Sequence, residues 1–140
     1  LRYWLFKSEP SVWGWHDQVR RGDAGEPWDG VRNYQARNFM REMAVGDRGF
    51  FYHTEDQKAV VGIVQICAEA RPDPGTDDPR WECVTVRAAA PLSKPVTLYA
   101  IKANPALADM ALVRQPRLSV QPVTADAWQI ICIMGGMTNT

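Results

Sequence analysis

The sequence is short of the residues on which most enzymes and metalloproteins rely. It has three cysteines and two histidines in 140 residues. Cys67, Cys83 and Cys132 form no Cys-x-x-Cys pair and each sits among apolar neighbours. They read as buried free thiols of a reducing compartment, not as a disulfide framework. His16 and His53 lie far apart without ligand spacing, so no metal and no cofactor is expected. The Gly-x-Ser-x-Gly, P-loop, Gly-x-Gly-x-x-Gly and His-Glu-x-x-His signatures are all missing. No apolar run approaches the ~18 residues of a membrane span, so no membrane partner is expected. The opening Leu1-Arg2-Tyr3-Trp4-Leu5-Phe6-Lys7 is charged too soon for a secretory signal, and a cytoplasmic location is expected. There is no repeat, no low-complexity tract and no Gly/Ser linker. Net charge is also missing: 16 basic and 16 acidic residues balance. That argues against holding nucleic acid by bulk phosphate attraction, although a local basic patch can exist within a neutral sum. Lysine is scarce, 4 against 12 arginines. Such a bias suits planar bidentate recognition and also follows from genome composition, and both readings stay open.

What is present points to one globular domain. The length falls in the ~100–150 residue range of single domains. Hydrophobic residues make up 46% and charged residues 23%, with six tryptophans. Tyr3 to Phe6 reads as a first strand ended by Glu9-Pro10. A short helix is predicted over Trp15 to Arg21, stopped by Gly22, followed by a polar connection from Gly22 to Pro27. Asn33 is a plausible N-cap for a helix whose Ala36, Phe39, Met40 and Met43 follow an i, i+3, i+4, i+7 pattern. Arg48 to Thr54 and Ala59 to Ala68 read as a hairpin, with Gly62 marking a bulge or a close backbone approach. Pro72 to Pro79 must be a surface loop. Arg80 to Ala88 is a further strand, and Pro91 to Val96 is extended. Thr97 caps a short helix over Leu98 to Ala103. Arg117 to Val123 is extended, and Thr124 caps a last helix from Ala125 to Met134. Mostly antiparallel strands with short peripheral helices predict an α+β domain built on a small barrel. A monomer is expected.

The densest polar stretch is Trp28-Asp29-Gly30-Val31-Arg32-Asn33-Tyr34-Gln35-Ala36-Arg37-Asn38. Aromatic faces that stack on a base, amides that read its edge and guanidiniums that clamp phosphate are the chemistry of nucleobase recognition. The plainer reading makes Trp28 and Tyr34 core residues and the polar groups caps and solvated surface. Phe50-Phe51-Tyr52-His53-Thr54 alternates, with Phe51 and His53 on one face and Phe50, Tyr52 and Thr54 on the other. One face should pack on the core and the other line a cavity, although a lone histidine in such a strand is more often a hydrogen-bonded core residue. Leu112 to Val123 offers Arg114, Gln115, Arg117 and Gln121 for phosphate or base contacts, or simply for solvent. Trp13, Trp15 and Trp128 lie on predicted helices or caps and read as core. Trp81 follows the Pro/Asp loop directly, at a rim, where it suits one wall of an aromatic cage.

These stretches resemble one family closely. Tyr3-Trp4-Leu5-Phe6-Lys7-Ser8-Glu9-Pro10 resembles the YWLxKSEP opening of EVE domains. Trp28 to Asn38 resembles their WxGVRNYQARN signature, and Gly46-Asp47 with Phe51-Tyr52-His53-Thr54 resembles GD…FYHS, with Thr54 replacing the usual serine. Val61-Gly62-Ile63-Val64, Pro72-Asp73-Pro74 and Arg117-Leu118-Ser119-Val120-Gln121-Pro122-Val123 follow in order. The resemblance covers nearly the whole chain; only the middle of the Pro/Asp loop looks shorter than in some members. It implies a PUA-like fold, a curved and mostly antiparallel barrel with helices at its ends, distantly similar to YTH domains. It also implies a DNA or RNA partner carrying a modified base, a modified cytosine or similar. By motif, the resemblance places Trp28 and Trp81 at the cage-forming aromatic positions and Lys7 and Ser8 at the pocket floor. Asn33, Tyr34, Arg37 and Asn38 surround it, with Tyr52, His53, Ser119 and Val120 as weaker correspondences.

The expected function is therefore a non-catalytic reader. Trp28 and Trp81 would stack, and Asn33, Asn38 and Ser8 would read the base edge. Arg32, Arg37, Arg114 and Arg117 would take phosphates. Two alternatives remain on the residues alone. One is a small enzyme acting on a nucleotide or modified base with His53 as general base. The other is a protein- or small-molecule-binding module.

Overall fold

The structure, a computed structural model, describes residues 1–137. Its organisation follows from strand β1 (Tyr3–Ser8). Trp4 and Phe6 point to one side of it and Leu5 to the other, and all three are fully buried. A strand buried on both sides belongs inside a sheet covered on both faces. The sheet has six strands, adding β2 (Glu26–Pro27), β3 (Arg48–His53), β4 (Ala59–Pro72), β5 (Glu82–Thr97) and β6 (Val120–Val123), in the order β2-β5-β4-β3-β1-β6. β1 runs parallel to β3, pairing Lys7 with Tyr52 and Ser8 with His53; every other pairing is antiparallel. The long β4–β5 pair carries four register shifts, the irregularities by which a sheet bends. This is the α+β, curved, mostly antiparallel fold expected from the sequence.

Two apolar clusters fill the two faces. One joins Leu5, Phe50, Tyr52 and Ile63 to Trp128 and Ile131 of helix α5 (Ala125–Met134) and to Ile101 of α3 (Leu98–Ala103). The other joins Trp4, Phe6, Phe51 and Val64 to Trp15 of α1 (Trp15–Arg21) and to Ala36 and Met40 of α2 (Tyr34–Glu42). The expectation that one face of Phe50–Thr54 lines a cavity holds only at its end: Phe50 and Tyr52 sit in the first cluster and Phe51 in the second, and Thr54 alone reaches a hollow. The predicted caps form as expected. Asn33 Oδ1 accepts from Ala36 N at 2.9 Å, Thr97 Oγ1 from Ala100 N at 3.1 Å and Thr124 Oγ1 from Ala127 N at 3.1 Å.

Three elements differ from expectation. β5 is one 16-residue strand instead of two pieces. Pro91 fits within it beside the register shift at Val60/Gly62, where its missing N–H is tolerated. β2 lies inside the predicted polar connection, and α4 (Ala111–Arg114) was not foreseen. Both are too short for any periodicity to show.

Asp47 ties the second cluster to the chain start. Its carboxylate accepts from Trp4 Nε1 at 3.0 Å, Ala44 N at 3.1 Å and Arg2 N at 3.1 Å. Burial alone would raise this carboxyl, yet those hydrogen bonds outweigh it and hold its pKa below the ordinary value.

Gly62 marks the close approach that its sequence context predicted. A Cβ there would lie 2.5 Å from the Trp15 indole. That ring is packed edge-on against Phe51 and has little room to shift. Gly62→Ala is therefore expected to destabilise the fold by about 1–3 kcal/mol through overpacking, read as a lower urea midpoint at unchanged slope.

Candidate functional site

The end of β1 opens a cleft. Glu9-Pro10 stops the strand, and the chain turns back so that Ser8 Oγ donates to the carbonyl of Trp13. That bond brings Val12 and Trp13 over one side of a hollow of about 640 Å³. Lys7, Ser8, Thr54 and Ser119 lie on a second side, and Glu26 to Arg32 on a third. The size falls within the roughly 300–1,000 Å³ of small-molecule sites. Trp28 contributes to the cleft with 8% of its surface exposed, and the rest of its indole is packed edge-on against Phe6 and Phe51 at 5.1 and 5.6 Å between ring centroids. Its backbone N–H donates to Val84 O at 2.8 Å, fixing it on β5.

A buried carboxylate holds the third side. Asp73, 3% exposed, accepts from Gly30 N at 3.0 Å, Arg32 Nη1 at 2.9 Å and Gly75 N at 2.7 Å. Burial pushes its pKa up, but the hydrogen bonds from Arg32, Gly75 and Gly30 and the nearby guanidinium together hold it below the ordinary value. Gly30 takes φ +78°, a left-handed conformation that glycine adopts without strain. The Pro/Asp loop thus sets the shape of the Trp28–Arg32 segment, a role that its composition did not reveal.

The cleft carries mixed charge. Lys7 and Arg32 face Glu9, Glu26 and Asp29. Lys7 Nζ donates to Pro116 O at 2.7 Å, and burial lowers its pKa. Glu26 pairs with Arg21 at 3.1 Å. The side chains of Glu9 and Asp29 make no hydrogen bond or ion pair among the described residues. A second hollow of about 380 Å³ adjoins the first, lined by Asn33, Gln35, Gln115, Pro116, Arg117 and Leu118.

Of the residues expected to bind, the structure brings Lys7, Ser8, Trp28, Arg32 and Ser119 together at the cleft, and Asn33 and Arg117 at the adjoining groove. Several others lie elsewhere. Trp81 does not share the cleft with Trp28: its ring stacks on Tyr34 at 4.9 Å, with the Arg32 and Arg37 guanidiniums 5.3 and 5.9 Å from it. Tyr34 is itself covered by Arg37 at 4.9 Å, and its hydroxyl accepts from Arg80 Nη1 at 3.0 Å. This stack braces the start of α2 against the Pro/Asp loop, outside the lining of the cleft. Asn38 accepts from Arg37, and Arg37 donates onward to Arg80 O at 2.9 Å, so both serve the same brace. Tyr52 and Val120 are core residues, in the first and second cluster respectively. Arg114 donates to Ala108 O and pairs with Asp109 at 2.9 Å instead of lining either hollow. Asn33 keeps its place at the groove, but its Oδ1 is committed to the α2 cap.

His53 is a structural residue. Its Nε2 lies 3.0 Å from Trp15 N, and a backbone N–H can only donate, so Nε2 accepts. The ring proton then sits on Nδ1 and goes to Gln57 Oε1 at 2.6 Å. The lone pair that a general base would use is engaged at the first turn of α1.

Trp13, expected in the core, packs half-buried against the second cluster and also lines the cleft. Its Nε1 donates to Gln18 Oε1 at 3.0 Å, and the fully buried Gln18 donates to Val86 O at 3.0 Å. Trp13 is thereby tied through α1 to β5 at the edge of the cleft.

The comparisons agree with this fold. The EVE domain model matches residues 2–134. Thymocyte nuclear protein 1 of Danio rerio is 36% identical over 161 residues, covering 91% of this chain and 69% of the relative. A crystal structure of a protein from Agrobacterium tumefaciens is 51% identical with a TM-score of 0.98, covering 100% of this chain and 97% of that chain. The human THYN1 protein, crystallised in complex with 5-methylcytosine containing DNA, is 30% identical with a TM-score of 0.87, covering 99% of this chain and 100% of that chain. Family match, sequence identity and fold coincide over nearly the whole length, and the chain belongs to the EVE domain family.

Proposed function

We propose that this protein is a non-catalytic reader of DNA that holds a modified cytosine, extruded from its strand, in the cleft at Trp28. The observation that carries this reading is that cleft, present in a domain that shares family and fold with a protein crystallised on 5-methylcytosine containing DNA. The chemistry of the lining fits the base. Cytosine presents an N4 amino donor, for which carboxylates are the natural acceptors. Asp29 and Glu9 are carboxylates at the cleft without another partner among the described residues. Val12, Trp13 and Pro27 offer apolar surface for a C5-methyl group. Extruding a base costs a few kcal/mol, and stacking on an aromatic ring offsets about 1–3 kcal/mol of it. The engagement of both His53 nitrogens favours the reader over an enzyme that uses His53 as base.

The test is a titration at fixed salt with oligonucleotides that differ only in one cytosine: unmodified, 5-methylated or 5-hydroxymethylated. A modified form is expected to bind about tenfold or more tightly than the unmodified one, a difference of about 1.4 kcal/mol. Equal affinities would remove the reading.

A further inference from the structure

The cleft can take a base but is a poor place for a phosphate. Three carboxylates, Glu9, Glu26 and Asp29, stand against two cations in its lining. A phosphodiester brought among them would meet like charge. The strand that delivers the base must therefore run outside the cleft.

The adjoining groove has the opposite character. Its lining includes Arg117 and the amides of Asn33, Gln35 and Gln115, and no carboxylate. Arg117 is exposed, and its guanidinium has no partner among the described residues. Among the described residues, Arg48, Arg71 and Arg117 are the arginines that make no hydrogen bond or ion pair through the guanidinium; the others are tied to carboxylates, amides or carbonyls. The side chains of Gln35 and Gln115 have no partner among the described residues either. The two hollows are also lined by neighbouring residues of the chain. Arg32 lines the cleft and the next residue, Asn33, lines the groove; Ser119 lines the cleft and the preceding Leu118 lines the groove. In each case the two residues are a single ~3.8 Å Cα step apart. The Lys7–Pro116 hydrogen bond joins a residue that lines the cleft to one that lines the groove.

We propose that this groove carries the phosphodiester backbone beside the extruded base, with Arg117 as the phosphate contact and Gln35 and Gln115 donating to phosphate oxygens. The inference rests on the reader function proposed above and adds a division of labour to it. The cleft sets selectivity, and the groove supplies affinity that is blind to the base. Phosphate contacts position a protein without reading sequence, and each one removed makes the salt dependence shallower.

The experiment measures affinity against salt concentration for the unaltered protein, Arg117→Gln, Arg117→Glu and Lys102→Gln. The probes are DNA oligonucleotides with one 5-methylcytosine and their unmodified counterparts. Lys102 is an exposed cation on α3, which packs on the opposite sheet face, and its variant controls for net charge. Arg117→Gln should lower affinity several-fold for both probes and flatten the log–log salt slope by about one, while the methylated-to-unmethylated ratio stays as it was. Arg117→Glu should lower affinity further, and Lys102→Gln should leave the slope near the original. An unchanged slope in both Arg117 variants, with methyl selectivity present in the unaltered protein, would overturn the groove assignment and leave the reader function standing. A loss of selectivity in Arg117→Gln would also overturn it, because Arg117 would then be reading the base. Absence of selectivity in the unaltered protein would overturn the reader function and the groove assignment together.

Discussion

Asp73→Ala is expected to lower the melting temperature by roughly 6–10 °C and to weaken binding of the modified oligonucleotide by about tenfold or more. The carboxylate gathers Gly30 N, Arg32 Nη1 and Gly75 N at 2.7–3.0 Å from a position only 3% exposed. Hydrogen bonds to a charged acceptor are worth about 1.5–3 kcal/mol each, but Gly30, Gly75 and Arg32 can rehydrate when released. The net stability loss is therefore on the order of 2–3 kcal/mol, not the full sum. The binding loss has a separate origin. Without Asp73, Gly30 and Arg32 no longer fix the rim beside Trp28, and the cleft must be ordered at the expense of binding. Asp73→Asn should behave similarly though less severely, since its amide turns a donor toward one of the three donors it must accept from. The same carboxylate predicts an acid dependence. Its folded-state pKa lies below the ordinary 3.8, so its contribution is complete above that value and is lost as pH falls through the lowered one. Asp47 acts in the same direction. Acid unfolding of the Asp73→Ala protein below about pH 4 should be less steep than that of the unaltered chain. Unchanged melting and unchanged affinity in Asp73→Ala would show that the Pro/Asp loop does not support the cleft.

Local chemistry was readable in the sequence because it depends on neighbours within a turn or two. Asn33, Thr97 and Thr124 cap the helices expected of them because their side chains reach N–H groups three residues ahead. The cleft combines segments far apart in the chain, and there the reading divided. Lys7, Ser8, Trp28, Arg32 and Ser119 line the one cleft. Trp13 and Trp81 depart from expectation for reasons that no local pattern carries. Trp13 packs against the second cluster and also lines the cleft, held by the Ser8 bond to its carbonyl and by Gln18, and Trp81 is covered because Tyr34 stacks on it across 47 residues of chain. Asp73 was hidden differently. It sits in a loop rich in aspartate and proline, where a solvated carboxylate is the ordinary case, and only tertiary burial singles it out.

Trp28 is where stability and recognition overlap, so the choice of substitution decides what is learned. Its indole is 8% exposed and belongs to the second core cluster, edge-on to Phe6 and Phe51. Trp28→Ala would leave a large cavity and is expected to cost about 3–5 kcal/mol. Lost binding in that variant would not separate a missing stacking surface from a loosened fold. Trp28→Phe keeps an aromatic ring in the core and removes only part of the volume, so a cost nearer 1–2 kcal/mol is expected, within reach of thermal or urea denaturation. If the base rests on Trp28, the smaller ring should weaken binding of the modified oligonucleotide by about three- to tenfold, a fraction of the ~1–3 kcal/mol that a full stacking partner contributes. The salt slope should not change, because no phosphate contact is touched. A Trp28→Phe protein that melts lower but binds with unaltered affinity and selectivity would reduce Trp28 to a core residue and move the stacking role to Trp13, the other indole at the cleft. Trp13→Phe would then carry the loss. Because Trp13 is only half-buried, its variant separates the two outcomes without a comparable loss of core packing.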